Sequence, residues 1–589
     1  MINSCLCILS RTLRLTTPAL PLLLPVASLA LPAHAAPADP TPAAIDTIFS
    51  AWTDKTPGVA LAVIRDEKVI YSRGYGLANL DHAIPISTNT VFDVGSTSKQ
   101  FTAACILLLA EEGKLALTDD VRNYFPELPD YGAPITIAHL LHHTSGLRDY
   151  TSIMGLANLD IEADHPDPLL LDIIYRQKGL NFPTGERFDY TNTGYFLLGE
   201  IVRRVSGMPM SQFATARIFE PLGMTSTIFW DDHTMLVPHR ADSYYPRDDG
   251  LYLLAISLMD NVGDGGIYTT VEDLAKWDAN FYHNRLGKGT PDFLDQMQKI
   301  GTLNNGQPIG YASGLFIGSH RGHRMVSHGG AWRGFRAELA RFPNEKLTVI
   351  CLANLASINA SALALRVADL YLSDSQGADA SDATAGAGQI TPAAPSAAPT
   401  ITLADADWEK LLGRYKANTP GGPTWTITRR ADVLSVRSSS GLAFTARPIA
   451  PLEFESIDRT QLARLTFSAD ASGALTTITQ TIADTPNVVL TRVVPVTDPA
   501  AGLDDFAGTY DSTEIGGWMR ITVAEGKLFL TSTEEYPPFP IERSSADAFN
   551  IPGFEITFIR NASGKVDGIT VNVPRASGMR YTRRPSDRR

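Results

Sequence analysis

Cysteine is nearly absent. The 589-residue chain has four, and two of these, Cys5 and Cys7, stand in an apolar N-terminal leader. The other pair, Cys105 and Cys351, sits in the apolar runs AACILLLA and LTVICLANL. Two buried free thiols are expected there rather than a disulfide. Positive charge is also short. Lys and Arg number 50 against 63 Asp and Glu, a net charge of −13, and no basic block offsets it. That argues against nucleic acid and anionic membrane surfaces as partners. Beyond the leader no apolar run is long enough to span a bilayer, so the mature chain is expected to hold no integral membrane segment. Spacings for a catalytic metal site are missing too. Such a site needs three ligands and an open position. His139, His142 and His143 come nearest, but two of them are adjacent and diverge, with no acidic partner at a useful spacing. Helix packing and capping are their expected roles, and neither metal nor cofactor is expected.

What is present divides the chain. Residues 1–36 read as a cleaved signal peptide. Arg11 and Arg14 precede the apolar stretch Pro18–Leu31, and Ala33, His34 and Ala35 form a small-x-small cleavage site. A periplasmic or secreted location follows. Residues 37–372 mix two periodicities. An amphipathic helix is expected over 41–54, and β-rich runs 58–66 and 69–75 join at Glu67 and Lys68 as a hairpin. Helical patterns fill the middle, one of them capped by Thr270 with Asp273 three residues on. Strands are expected at 311–318, 323–328, 334–342 and 346–353, then a helix over 358–372. The expected fold is α+β, one antiparallel sheet flanked by helices, with strands from both ends of the domain. Residues 373–402 are Ala, Ser, Thr, Gly, Pro and Asp with almost no large apolar side chain, a flexible linker.

An internal repeat follows the linker. LLGRY at 411–415 matches FAGTY at 506–510, and each precedes a strand containing Trp (TWTIT, GWMRIT). Each copy is about 85–90 residues, enough for a small antiparallel β-barrel. The copies span 403–497 and 503–585. They are expected to fold as separate units beyond the linker, and neither clusters catalytic residue types.

Three constellations carry chemistry. The stretch Val91–Thr102 (VFDVGSTSKQFT) leads into the apolar run Phe101–Ala110. Ser96 and Lys99 are three apart, so on a helix they share a face within side-chain reach. A desolvated lysine can take the serine proton, and the helix N-terminus stabilises an oxyanion. Alone this is weak, since roughly one or two Ser-x-x-Lys matches arise by chance in a chain this long. Tyr190 and Asn192 form the second pair, on extended chain at a loop or strand edge. A nearby ammonium would make the Tyr190 phenol a candidate base, and the Asn192 amide offers both a donor and an acceptor. The third is HGGAWRG, His328–Gly334, expected between two strands. Its glycines permit close backbone approach, and a backbone N–H there can complete an oxyanion hole with that of Ser96. Arg333 and Arg336 flank it. Either can bind a carboxylate, against a default of solvated charge. Asp264, among the glycines GDGG, reads as a turn residue.

Taken together, the order Ser-x-x-Lys, Tyr-x-Asn, His-x-Gly resembles the serine β-lactamase and penicillin-binding-protein-like hydrolases, most closely the D-aminopeptidase branch. The runs STSKQFT, HTSGLRDY, GDGGI and HGGAWRGFR are similar to that family's. The resemblance implies a serine hydrolase with an acyl-serine intermediate. In it Ser96, Lys99 and Tyr190 are catalytic, and Asn192, His328, Gly330 and Ala331 bind substrate. It implies a peptide, amide, ester or β-lactam substrate, D-amino-acid-containing peptides first, and a possible homodimer. In the family a long loop of the last barrel selects the substrate amine. The matching segment here, Asn550–Phe554, reads as a tight turn, which implies a more open cleft. A non-catalytic envelope protein that binds peptidoglycan through its barrels is the alternative from another class.

Overall fold

Alternation along one strand sets the layers of the first domain. In Val59–Arg65 the residues Val59, Leu61 and Val63 face one apolar cluster, and Ala60, Ala62 and Ile64 face another. Successive strand side chains point to opposite faces, so an unbroken apolar run marks a strand covered on both. One cover is made by the helices Pro42–Ile48 and Ala360–Tyr371, with Ile45, Leu363 and Val367 pointing inward. The other contains the helix Lys99–Glu111, in which 11 of 13 residues are buried.

The computed structural model describes residues 40–372, 403–418, 424–438, 443–456, 463–482, 488–493, 502–533, 537–551 and 554–585. The leader 1–36 and the linker 373–402 lie outside the described residues. The main sheet has six antiparallel strands, in the order Phe316–His320, His323–Trp332, Phe335–Phe342, Leu347–Ala353, Val59–Arg65, Lys68–Tyr75. The first and last parts of the domain join where Val59 pairs with Ala353 and Arg65 with Leu347. Among the described residues no helix is long and apolar enough to cross a membrane.

Two closed eight-stranded antiparallel barrels follow, Gly413–Arg492 and Gly508–Arg583. The repeat has a physical origin. Tyr415 donates its hydroxyl to Leu411 O at 3.0 Å, and Tyr510 does the same to Phe506 O at 2.7 Å. Arg492 and Arg583, on the last strands, donate to Leu412 O and Ala507 O respectively. The two Trp strands match with an offset of one. Trp425 pairs with Tyr415 and is buried, whereas Met519 takes that place opposite Tyr510 and Trp518 pairs with Asp511. A shift of one residue turns a strand side chain to the other face.

The two barrels differ in how they pack: the described residues of the second share a compact unit and an apolar cluster with the first domain. The first barrel has its own apolar core around Trp408, Tyr415 and Trp425. The second barrel's core residues Phe506, Tyr510 and Met519 belong to the same cluster as Phe101 and Tyr150 of the first domain. At that junction the Arg148 guanidinium donates to Glu514 Oε1 at 2.8 Å, and both side chains are buried.

Candidate active site

The Ser96 turn is tighter than the α-helical N-terminus expected for it. Residues Gly95–Ser98 form a 3₁₀ turn that feeds into the helix Lys99–Glu111. Gly95 adopts φ +49°, open to glycine at little cost. The Asp93 carboxylate accepts from Gly95 N at 2.7 Å and fixes the turn. Three spacings still bring lysine to serine. Lys99 Nζ lies 3.1 Å from Ser96 Oγ, 3.0 Å from Asn192 Oδ1 and 2.6 Å from Asp264 O. The Lys99 side chain is buried.

Tyr190 and Asn192 reach this lysine from a different backbone than an extended strand. Asn192 is the first residue of the helix Asn192–Ser206, and Tyr190 precedes its cap, Thr191. Lys99 Nζ stands 5.0 Å from the Tyr190 ring centre. The Tyr190 hydroxyl is buried with no hydrogen-bond partner.

The HGGAWRG segment is not a hairpin turn. His328 to Trp332 continue the strand His323–Trp332, with Gly330 opposite Ala337, and the chain reverses only at Arg333 and Gly334. That strand lies against the nucleophile turn. A Cβ on Gly330 would fall 1.8 Å from Val94 O, and one on Gly95 2.8 Å from Ala331 N. One cleft is lined by Ser96, Asn192, Ala331, Asp93, Asp264 and Trp332, among others. Ala331 therefore borders the same cleft as Ser96.

The β-lactamase family model matches residues 45–372, more than half of the chain. This chain belongs to the β-lactamase family. A domain of unknown function (DUF3471) matches residues 492–583, the second barrel. Penicillin-binding protein 4* of Bacillus subtilis (strain 168) is 33% identical over 336 residues, 53% of this chain and 71% of its own length. A D-aminopeptidase of Brucella canis is 24% identical over 550 residues, covering 90% of this chain and 96% of that one. The solved octameric penicillin-binding protein homologue of Pyrococcus abyssi is 23% identical with a TM-score of 0.51, covering 76% of this chain and 98% of that chain, and shares the fold. The protein is an enzyme, a serine hydrolase of the β-lactamase and D-aminopeptidase type.

In this β-lactamase-family hydrolase several expected contacts are reassigned. The ring nitrogens of His328 are both engaged. Nδ1 donates to Gly329 O at 2.6 Å, and Nε2 accepts from the Tyr311 hydroxyl at 3.0 Å. Burial, with the Lys99 charge adding to it, pushes the His328 imidazole down to about 3. His328 is a neutral wall of the site and holds no free nitrogen for a substrate. Arg333 is paired with Glu162, and Arg336 donates to Arg333 O and Phe335 O at 2.9 and 2.6 Å. One nitrogen of each guanidinium is thus already engaged within the protein.

Four residues that sequence reasoning missed or dismissed support the site. Asp264 is more than a turn residue. Its carbonyl accepts from Lys99, its carboxylate accepts from the Tyr150 hydroxyl at 3.1 Å, and burial raises its carboxyl above the usual range. Asp93 is pushed up to about 7 by burial. Its place two residues before Gly95 is an Asx-turn signal legible in the chain. His143 is buried, and its Nδ1 accepts from Thr191 N at 3.2 Å. Burial first, then the Lys99 charge, holds this imidazole well below its ordinary value. His143 therefore orients the Tyr190 segment, its ring tilted 35° to that of Tyr190 with centroids 4.2 Å apart. Asp149 is fully buried and accepts from Asn192 N at 2.7 Å. Of His139, His142 and His143, two have the expected cap role: His139 forms a capping box with Thr136, and His142 is the C-cap of the same helix.

Proposed function

We propose that this enzyme cleaves amides and peptides through an acyl-Ser96 intermediate. The observation that carries the reading is the set of partners around Lys99 Nζ. Asn192 Oδ1 and Asp264 O can only accept, so they take two N–H groups. The third partner, Ser96 Oγ at 3.1 Å, can accept or donate. A proton can therefore pass between Ser96 and Lys99 without any other bond moving. As Ser96 attacks a carbonyl, Lys99 takes its proton. The unpartnered Tyr190 hydroxyl is the second group able to exchange it with the leaving amine. The N–H groups of Ser96 and Ala331 receive the oxyanion. Water then releases the acyl group. The names of the relatives favour D-amino-acid-containing substrates, with simple esters and β-lactams as alternatives. The leader places the enzyme in the periplasm or outside the cell. A non-catalytic peptidoglycan binder is disfavoured by the family match and by the complete site. Intact-mass measurement after a fluorophosphonate should show one adduct, mapped to the peptide containing Ser96. Persistence of that adduct in Ser96→Ala refutes the reading.

A narrower reading, action on substrates with a free amine, has its own support. Among the described residues, both Asp93 and Asp264 line the cleft beside Ser96. The opposing observation is the short hairpin in the second barrel. Its strands pair up to Ile551 and Phe554, and Pro552 and Gly553 lie outside the described residues. No described barrel residue lines the cleft. We therefore expect an open cleft that accepts blocked acyl groups. D-alanine p-nitroanilide and its N-acetyl form should turn over at rates within about tenfold of each other, or 1.4 kcal/mol. A strong preference for the free amine restores aminopeptidase action and assigns the amine to the two carboxylates.

A further inference from the structure

One turn of the second barrel reaches Asp149, which holds the start of the Asn192 helix. Pro574 and Arg575 connect the strands Val566–Val573 and Ala576–Arg583. Hydrogen bonds pin the turn, and the start of the strand after it, to the first domain. Asp149 N donates to Arg575 O at 2.9 Å, and Asn181 Nδ2 donates to the same oxygen at 2.8 Å. Ser152 Oγ donates to Pro574 O at 2.7 Å, and Ser577 N donates to Asn181 Oδ1 at 2.9 Å. Arg575 is held at φ +63°, a conformation that non-glycine residues rarely keep without such support.

We propose that Arg575 of the second barrel is a positioning residue for the Ser96 site, acting through Asp149 on Asn192 and so on Lys99. The Arg575 guanidinium lies 3.3 Å from Asp149 Oδ2. The same oxygen accepts from Asn192 N at 2.7 Å and from the Thr191 hydroxyl at 3.4 Å. The other carboxylate oxygen caps the helix Tyr150–Leu156 by accepting from Ser152 N at 3.2 Å. Asp149 thus ties together two helix starts, one of which carries Asn192. Asn192 Oδ1 in turn accepts from Lys99 Nζ at 3.0 Å. A carboxylate with no exposure needs a partner to offset its burial. Arg575 is its ion-pair partner, and the Arg575 side chain is about a third exposed. Without that cation the Asp149 carboxylate loses the contact that fixes it from the barrel side, and the acceptor of the first N–H of the Asn192 helix is free to shift. The barrel then belongs to the catalytic apparatus without touching substrate.

The proposal rests on the acyl-Ser96 reading, so the wild-type adduct is measured first. No wild-type adduct refutes that reading and, with it, this one. Given an adduct, full-length Arg575→Ala, Arg575→Lys and Glu514→Gln are compared with wild type. Readouts are kcat, KM, fluorophosphonate labelling rate and Tm. Arg575→Ala should label and turn over about 10- to 100-fold more slowly, the effect of a displacement on the order of 1 Å at a reacting centre. The loss should fall on kcat rather than KM, and Arg575→Lys should recover most of it. Glu514→Gln weakens the same interface away from Asp149. It should lower Tm while leaving the labelling rate near wild type. Wild-type labelling in Arg575→Ala overturns the proposal. So does a Lys variant no better than Ala, or a Glu514→Gln loss equal to that of Arg575→Ala. If Arg575→Ala does not fold, the Lys variant and Arg575→Gln decide by the same comparison.

Discussion

Lys99→Met is expected to slow acylation of Ser96 by about 10²- to 10⁴-fold, the range for removing a positioned proton carrier. Methionine keeps the length and unbranched shape of the lysine stem, so the buried volume is nearly retained. Two effects oppose each other in stability. Asn192 Oδ1 and Asp264 O each lose the donor they share, at about 1–3 kcal/mol for a buried acceptor left unpaired. Against that, an apolar group removes the cost of keeping a buried amine out of water. The melting temperature should therefore move little while the chemistry collapses. Pre-steady-state release of nitrophenol from a short nitrophenyl ester separates the two. A wild-type burst rate in Lys99→Met removes lysine from proton transfer and leaves Tyr190 as the group to test. The double variant Ser96→Ala, Lys99→Met should be no slower than Ser96→Ala, because groups that act as one unit are not additive.

Much of this was legible because the signals are local. Ser96 and Lys99 meet through a spacing of three, and the apolar run after them buries the helix that carries them. The sheet edges were readable from two β-rich ends around a helical middle. The barrels were readable from the repeated tyrosine pentapeptides, whose hydroxyls close on a carbonyl four residues back. What was not legible shares a different cause. The HGGAWRG segment was placed between two strands, yet His328 to Trp332 lie within one, with glycine at 330 where Val94 and Thr97 leave no room for a side chain. His328 was given to substrate, but Tyr311 and Gly329 occupy both its nitrogens. The second barrel's link to the site runs through Arg575 and Asp149, 426 positions apart (575 less 149). Contacts of that separation leave no periodicity in the chain. Asp93 and Asp264 lie inside quoted motifs, and what hid them was the burial that raises both carboxyls.

Gly330→Ala is expected to cost both stability and rate, more than the same change at Gly329 or Gly318. A Cβ there would lie 1.8 Å from Val94 O, 2.8 Å from Val94 C and 3.1 Å from Thr97 N. All three are backbone atoms of the segment that carries Ser96, so no rotamer can give way. The strand His323–Trp332 must move off that segment, and Ala331 N moves with it. Overpacking of this kind costs about 1–3 kcal/mol, occasionally more. Loss of one oxyanion donor costs about 10²- to 10³-fold in kcat. At Gly329 the nearest atom is Glu338 Oε2 at 2.9 Å, a side-chain atom held by Ser361 rather than backbone of the Ser96 segment. At Gly318, on the neighbouring strand, nothing lies within 4 Å. The ordering expected is therefore Gly330→Ala far worst, Gly329→Ala mild and Gly318→Ala near wild type. Thermal denaturation gives the stability order, and steady-state turnover of an activated ester gives the rate order. If Gly330→Ala keeps full kcat while losing stability, the strand supports the fold but its N–H does not hold the oxyanion. If Gly318→Ala is as damaging as Gly330→Ala, the close approach is not what the site depends on.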